Sequence, residues 1–214
     1  MDSSTIFQEN KLAGNIKIAA SKTILNYIMP NIYYDFLSKY KDVKLDILTI
    51  NSSSIIDKIL KNELDIGLIE VDTQNSSLIK EKLADDELIV VSSDEKHPSI
   101  AFIDAIKKRW ILREIGSGTR EIFMSKIGEI SKELDISMQL QDFEEIKTIV
   151  LNNKNTVTVL SKVIVKKELK QKKLFEIKLK NIEFKREFYL VYHKDKTKNL
   201  LFETFIEFIK NRLN

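Results

Sequence analysis

The chain has 214 residues, 43% of them apolar and 31% charged, with five glycines and two prolines. That is one large domain or two small ones, with apolar mass for a real core and too little Gly and Pro for long flexible linkers. A net charge of +3 is too balanced for a dedicated nucleic-acid binder, and the absence of cysteine excludes disulfides, thiolate metal sites and a Cys nucleophile.

Asn15–Ala20 reads as a short strand with Ile16 and Ile18 on one face. Thr23 to Tyr40 reads as a helix with Leu25, Met29, Ile32 and Phe36 in one stripe, kinked or late-starting because of Pro30. Val43–Ile50 alternates as a strand, Ser52–Asn62 forms a second helix, and Leu64–Ile69 is a third, mostly apolar strand. This βαβαβ order requires a parallel sheet with helical crossovers, so the fold class is α/β. Residues 78–92 are strand-rich, and His97-Pro98 marks a domain boundary. A second set follows: helix 100–107, strand 110–113, helix 119–134, strand 137–140, helix 143–152, strand 156–160 and helix 162–170. Phe188–Tyr192 is a strong strand, and Lys198–Arg212 is a helix with Leu200, Leu201, Phe205, Phe208 and Ile209 inward. The start, MDSSTIFQENKLAG, lacks the pattern of a secretory signal, and no run approaches the ~20 apolar residues of a membrane span. The expected location is the cytoplasm.

The chemistry-bearing residues fall where strands hand over to helices. In an open α/β sheet that is where ligands bind, because helix N-termini present unpaired N–H groups and partial positive charge. Ser21-Lys22-Thr23, Asn51-Ser52-Ser53-Ser54, Gly116-Ser-Gly-Thr-Arg120 and Ser161 occupy four such junctions. Each alone reads as an ordinary helix cap worth about 1 kcal/mol. Four junctions from two units meeting at one cleft read instead as a binding site. Gly116 and Gly118 let the backbone approach a ligand, though the loop lacks the Gly-Lys-Ser/Thr of a phosphate-cradling P-loop. His97 and His193 have no metal-ligand spacing. The lysines from 162 to 180 read as a solvated face, Trp110 as core, and Asp85-Asp86-Glu87 as a turn.

Gly14-Asn-Ile-Lys-Ile-Ala-Ala-Ser-Lys-Thr23, Tyr27-Ile-Met-Pro30, Asn51-Ser52, Glu63-Leu-Asp-Ile-Gly-Leu68 and Ile111-Leu-Arg-Glu-Ile-Gly-Ser-Gly-Thr-Arg120, in this order, resemble the effector-binding domain of LysR-type transcriptional regulators. The resemblance runs from about Gly14 to Ile209. It implies two Rossmann-like subdomains joined by two crossing strands, in the manner of type 2 periplasmic binding proteins, with a small effector in the cleft between them. The crossing strands are expected near Val90–Ser93 and Lys185–Tyr192. Subdomain I would take residues 14–92 and 188–214, subdomain II residues 98–183, and the hinge 93–97 and 184–187. Carried onto this chain, the resemblance makes Ser21, Thr23, Ser52, Ser117, Thr119 and Ser161 effector-binding residues. Arg120 would hold its loop or counter the ligand's charge. The sequence departs from the family pattern at Lys154-Asn-Thr156 and at Gln141-Asp-Phe143, which adds Asp142 to the site.

Family members carry an N-terminal helix-turn-helix, and here about 13 residues precede the first strand, fewer than the ~60 such a unit needs. Residues 1–13 are therefore expected to be the remnant of a linker helix, with DNA bound only through a part missing from this chain. The first helix is apolar on a second side (Ile24, Tyr27, Ile28, Tyr34), in line with the family's side-by-side homodimers, tetrameric at full length. The expected function is sensing a small polar metabolite that bears a carboxylate, phosphate or sulfate, with no cofactor, metal, membrane contact or enzymatic role. The rival functions are a transport solute-binding protein and a dehydratase or transferase on the same scaffold.

Overall fold

In the computed structural model, which describes residues 12–95, 99–100, 102–179 and 182–213, two α/β lobes are threaded on a pair of shared strands. The first lobe contains β1 (Ala13–Ala20), α1 (Pro30–Lys39), β2 (Asp42–Thr49), α2 (Ser52–Leu60) and β3 (Ile66–Ile69). The long strand β4 (Leu78–Ser92) leaves it. The second lobe contains β5 (Ser99–Ile100), α3 (Phe102–Ile106), β6 (Arg109–Arg113), α4 (Gly118–Ile127), β7 (Asp135–Leu140), α5 (Phe143–Asn152), β8 (Thr156–Ser161), α6 (Lys162–Lys170) and β9 (Phe175–Leu179). Strand β10 (Phe184–His193) returns to the first lobe, where α7 (Leu200–Leu213) completes it.

The strand order is β2-β1-β3-β10-β4-β8-β6-β7, with β9 on β4 and β5. β1 pairs in parallel with β2 and β3, and β6 in parallel with β7 and β8, as helical crossovers demand. Helices cover both faces of each sheet, so the central strands are apolar on both sides. Ile16 and Ile18 of β1 face α1 and α7, while Ala19 faces α2. In the second lobe Trp110 and Leu112 pack with Phe123 of α4, and the intervening Ile111 packs with Phe143 of α5 and Ile164 of α6. Trp110 is fully buried, its Nε1 donating to the Ala105 carbonyl at 3.0 Å.

Several elements differ from expectation for identifiable reasons. The first helix is interrupted: Ile24–Ile28 winds as a π-type turn, and Pro30, with no N–H to donate, opens α1. The helix expected to reach residue 134 ends at Ile127, where Gly128 turns with φ +57 into a 3-10 turn over Gly128–Glu133. β9 escapes the alternation pattern because Phe175 and Glu176 are both half-buried. Asp85, Asp86 and Glu87 are not a turn; they are strand residues paired with Glu187, Arg186 and Lys185 of β10. The lysines of α6 and the loop after it are exposed at 162, 166, 167, 170, 172 and 173, as is Lys178 on β9, and Lys180 lies outside the described residues.

β4 and β10 pair antiparallel from Leu78↔His193 to Leu88↔Phe184. Beyond that, Leu88–Val91 pair with β8 and Val90–Ser92 with β9. Leu83 and Phe188 belong to the first lobe's core, whereas Leu88, Val90 and Phe184 belong to the second. The chain therefore passes between lobes at residues 84–87 and 185–187. Residues 88–92, expected in the first subdomain, pack in the second, and Val90–Ser93 lies past the crossing. The expected boundary at His97-Pro98 and the linker residues 1–11 lie outside the described residues; Ala13 already opens β1.

Candidate functional site

Apart from Ser21, whose Oγ also accepts from the Ile24 N–H at 3.5 Å, the strand-to-helix junctions do not use their serines as helix caps. Asn51 caps α2 by accepting from Ser54 N–H at 3.0 Å, and Asp142 caps α5 by accepting from Glu144 N–H at 2.7 Å. Ser117 and Ser161 stand at the N-cap positions of α4 and α6, but neither side chain caps its helix. The hydroxyls turn inward instead. Ser21 Oγ donates to Glu70 Oε1 at 2.6 Å, and Ser161 Oγ donates to Asp86 Oδ1 at 2.7 Å. Ser52 Oγ accepts the Glu70 backbone N–H at 3.3 Å. Thr119 Oγ1 accepts from Arg186 Nη1 at 3.0 Å and donates to Glu70 Oε2 at 3.4 Å.

These hydroxyls surround a charged centre drawn from both lobes and the hinge. Arg186, on β10 at the crossing, donates through Nη1 to Glu70 at 2.7 Å and through Nε to Asp86 at 2.6 Å. The three side chains are 1%, 3% and 6% exposed. Ions this buried persist only when paired and hydrogen-bonded. Burial pushes the Glu70 carboxyl up, but the Arg186 charge, the hydroxyls of Ser21 and Thr23, and the Arg113 charge together hold it below the ordinary carboxylate range. Arg113 is itself held by Glu114 in a two-pronged pair at 2.8 and 3.1 Å. Two polar atoms in this region are buried with no hydrogen-bond partner: Arg186 Nη2 and Thr23 Oγ1. Thr23 is close enough to help hold the charge of Glu70 without meeting hydrogen-bond geometry. A cavity of about 410 Å³ has Glu70, Arg186, Asp72, Asp85, Glu187 and Tyr189 among its lining residues.

The lobes touch across the cleft. Lys22 Nζ donates to Gln141 O at 3.0 Å and Asp142 Oδ2 at 3.1 Å. Tyr27 OH donates to Glu144 Oε1 at 2.8 Å, with its ring 5.6 Å from that of Phe143. Ser53 Oγ lies 3.2 Å from Glu121 Oε1. Gly116, at φ +86, needs its glycine for the backbone turn, whereas a Cβ on Gly118 would stand 2.9 Å from Glu70 Cβ. The Gly118 position thus admits a side chain of the other lobe.

Of the residues singled out by sequence, Ser21, Ser52, Thr119 and Ser161 are gathered round the charged centre, with Thr23 beside Glu70. Ser117 is buried at the start of α4. Asp142 stands apart at the rim, occupied by the α5 cap and Lys22. Arg120 holds its own loop by donating to Arg113 O at 2.9 Å and Gln139 Oε1 at 3.0 Å. The second apolar side of the first helix is mostly consumed within the chain: Ile24 is buried, Ile28 packs on the first lobe's core and Tyr27 bridges the lobes, leaving Tyr34 exposed. Sequence reasoning missed Glu70, Asp86, Arg113 and Arg186. One signal for Arg186 was present: it shares the strand face of Phe184 and Phe188, both buried.

The family model described as LysR substrate binding domain matches residues 9–214. The HTH-type transcriptional regulator CysL of Bacillus subtilis is 28% identical over 205 residues, covering 92% of this chain and 67% of that protein. The RuBisCO operon transcriptional regulator of Allochromatium vinosum is 25% identical over 201 residues, covering 92% and 66%. The chain thus spans about two thirds of the length of these curated relatives. Among solved structures, the Synechocystis CcmR regulatory domain in complex with 2-PG superposes with a TM-score of 0.81 at 21% identity, covering 94% of this chain and 97% of that one. The effector binding domain of QuiR in complex with shikimate gives 0.80 at 19%, covering 94% and 98%. These neighbours share the periplasmic-binding-protein-like fold, two lobes on a pair of crossing strands. With the family model spanning nearly all of it, this chain belongs to the LysR substrate-binding-domain family.

Proposed function

We propose that this chain senses a small polar metabolite in the cleft between its lobes and reports it to a DNA-binding part of a bacterial transcription regulator. The observation that supports this best is the convergence of hydroxyls from both lobes on a buried ion cluster at the hinge, with Arg186 Nη2 and Thr23 Oγ1 left without partners. Buried donors and acceptors rarely stay unpaired unless something else meets them. Because Glu70, Thr119 and Arg186 come from the first lobe, the second lobe and the crossing strand, a ligand touching them acts on the lobe arrangement directly. It shifts that arrangement only as far as its affinities for the two forms differ. The neighbours named with 2-PG and with shikimate support a small metabolite as the ligand class.

The role is sensing rather than turnover, in the cytoplasm; no helix among the described residues is long and apolar enough to cross a membrane. We also infer a homodimer. β2 and β7 are the outer strands of the two lobes, and Ile47 and Leu48 on the one and Met138 on the other are exposed apolar side chains suited to a second copy.

The test begins with mass spectrometry of ligand carried through gentle purification, followed by isothermal titration of that ligand. Ser21→Ala and Thr119→Ala each weaken binding about tenfold or more, as expected for loss of a hydrogen bond in a buried charged network. Unchanged affinity in both variants removes the cleft from the reading.

A further inference from the structure

We propose that Glu70 sets the charge class of the effector: the cleft takes a ligand that carries a cationic nitrogen beside a carboxylate, as an α-amino acid does, and not a purely anionic metabolite. This deepens the cleft reading and rests on it. The hydroxyls at the strand-to-helix junctions, which would otherwise help to hold an anion, are already engaged by the chain's own carboxylates. Ser21 Oγ is spent on Glu70 and Ser161 Oγ on Asp86, and Thr119 Oγ1 is engaged by both Glu70 and Arg186. An entering sulfate or phosphate meets hydroxyls already in use and a carboxylate held ionised in a site sheltered from water, where like charges repel strongly.

The charge balance points the same way. Glu70, Asp86 and Glu114 face two guanidinium groups, Arg186 and Arg113. The adjoining cavity adds the carboxylates of Asp72, Asp85 and Glu187 and the ammonium of Lys185; Lys80 pairs with Asp72, Lys82 is shared between Asp85 and Glu187, and Lys185 pairs with Glu183, so four carboxylates face three ammonium groups. Within this cluster Arg186 Nη2, on a side chain 1% exposed, is a strong donor without a hydrogen-bond partner. It belongs to the same planar guanidinium that holds Asp86 and Glu70, so a carboxylate bound to it lies next to both. A ligand satisfying Nη2 with its carboxylate thus brings its α-substituent to the Glu70 side of the cluster, and an ammonium there completes the pairing. Thr23 Oγ1, the other partnerless atom, accepts from that ammonium.

The experiment titrates the protein, by calorimetry, with the proteinogenic α-amino acids, with their α-hydroxy acid counterparts of the same side chain, and with inorganic sulfate and phosphate. The expected result is that at least one amino acid binds and its α-hydroxy counterpart binds about 100-fold more weakly, the loss of one charge-assisted contact. Glu70→Gln is expected to narrow that ratio towards one while leaving the circular dichroism spectrum intact. The amine-to-hydroxyl comparison is made on the unaltered chain, so it stands even if the variant folds poorly. Equal or tighter binding of a hydroxy acid, sulfate or phosphate overturns the proposal; if Ser21→Ala and Thr119→Ala then abolish that binding, the cleft reading survives it. No binding by any compound of the panel also counts against the proposal. Amino-acid binding that Ser21→Ala and Thr119→Ala leave untouched sinks both.

Discussion

Replacing Arg186 by methionine removes a cation that pairs with Glu70 and Asp86 at once. Methionine is close in length and apolar, so the change deletes charge with little loss of volume. Breaking a buried pair by removing one partner costs about 3–5 kcal/mol, because an uncompensated charge is left behind. Here two carboxylates are orphaned, although Ser21 still donates to Glu70 and Ser161 to Asp86. We expect a loss near 4 kcal/mol at neutral pH, a large part of the about 5–15 kcal/mol that stabilises a typical domain. The pH dependence has a definite sign. In the unaltered chain Glu70 sits below its ordinary range, so its contribution is present above that range and is lost as pH falls through the folded pKa. In Arg186→Met burial dominates, the folded pKa rises above the unfolded one, and the folded state then binds more protons than the unfolded chain. Stability of the variant therefore falls as pH rises through the carboxylate range, and the gap between the two proteins widens from acid to neutral. Urea unfolding, followed by far-ultraviolet circular dichroism and by the fluorescence of the single tryptophan, measures both proteins at about pH 4 and about pH 7. A gap that is the same at both pH values, or smaller than about 1 kcal/mol at neutral pH, refutes the reasoning. The double variant Glu70→Gln/Arg186→Met should recover part of the loss, by about 1–3 kcal/mol of coupling.

Two further predictions concern the backbone. Gly118→Ala puts a Cβ 2.9 Å from Glu70 Cβ and 3.2 Å from Val71 Cγ1; overpacking of this kind costs about 1–3 kcal/mol. The loss should show in urea unfolding, accompanied by a larger radius of gyration in X-ray scattering as the lobes part. Lys172 closes α6 with φ 54 and a Schellman pattern, Lys173 N–H to Glu168 O at 2.9 Å and Lys172 N–H to Leu169 O at 3.1 Å. Lys172→Gly is expected to raise stability by about 0.5–1 kcal/mol, since glycine takes that left-handed conformation without strain; a loss of stability in the same urea experiment would show that the helix end is held by other contacts.

The parts of the fold legible in the sequence are those governed by period. Ile16, Ile18 and Ala20 against Ala19, or Trp110 and Leu112 against Ile111, are placed by alternation alone, and Phe143–Asn152 is set by its helical stripe and by Asp142 at its start. The hydroxyl junctions were legible too, because strand-to-helix handovers are visible as changes of period. Their partners were not. Glu70 follows the apolar run Ile66–Ile69 where any strand end meets solvent, and Asp86 sits in an acidic triplet that reads as a turn. Only pairing across 116 residues of sequence joins Glu70 to Arg186, and no local pattern carries a contact of that range. The hinge position was misjudged for a related reason: Leu88–Val91 are equally apolar in either lobe, and their partners in β8 decide the matter.

The two passages between lobes are not independent tethers. β4 and β10 are bonded edge to edge from Leu78↔His193 to Leu88↔Phe184, with a slip in register between Phe188 and Tyr189. Such a two-ply ribbon works like a leaf spring: it bends and twists as a unit, resists sliding of one ply past the other, and yields most readily at the slip. Arg186 is rooted in that ribbon two residues before the slip, so whatever grips its guanidinium pulls on the spring itself.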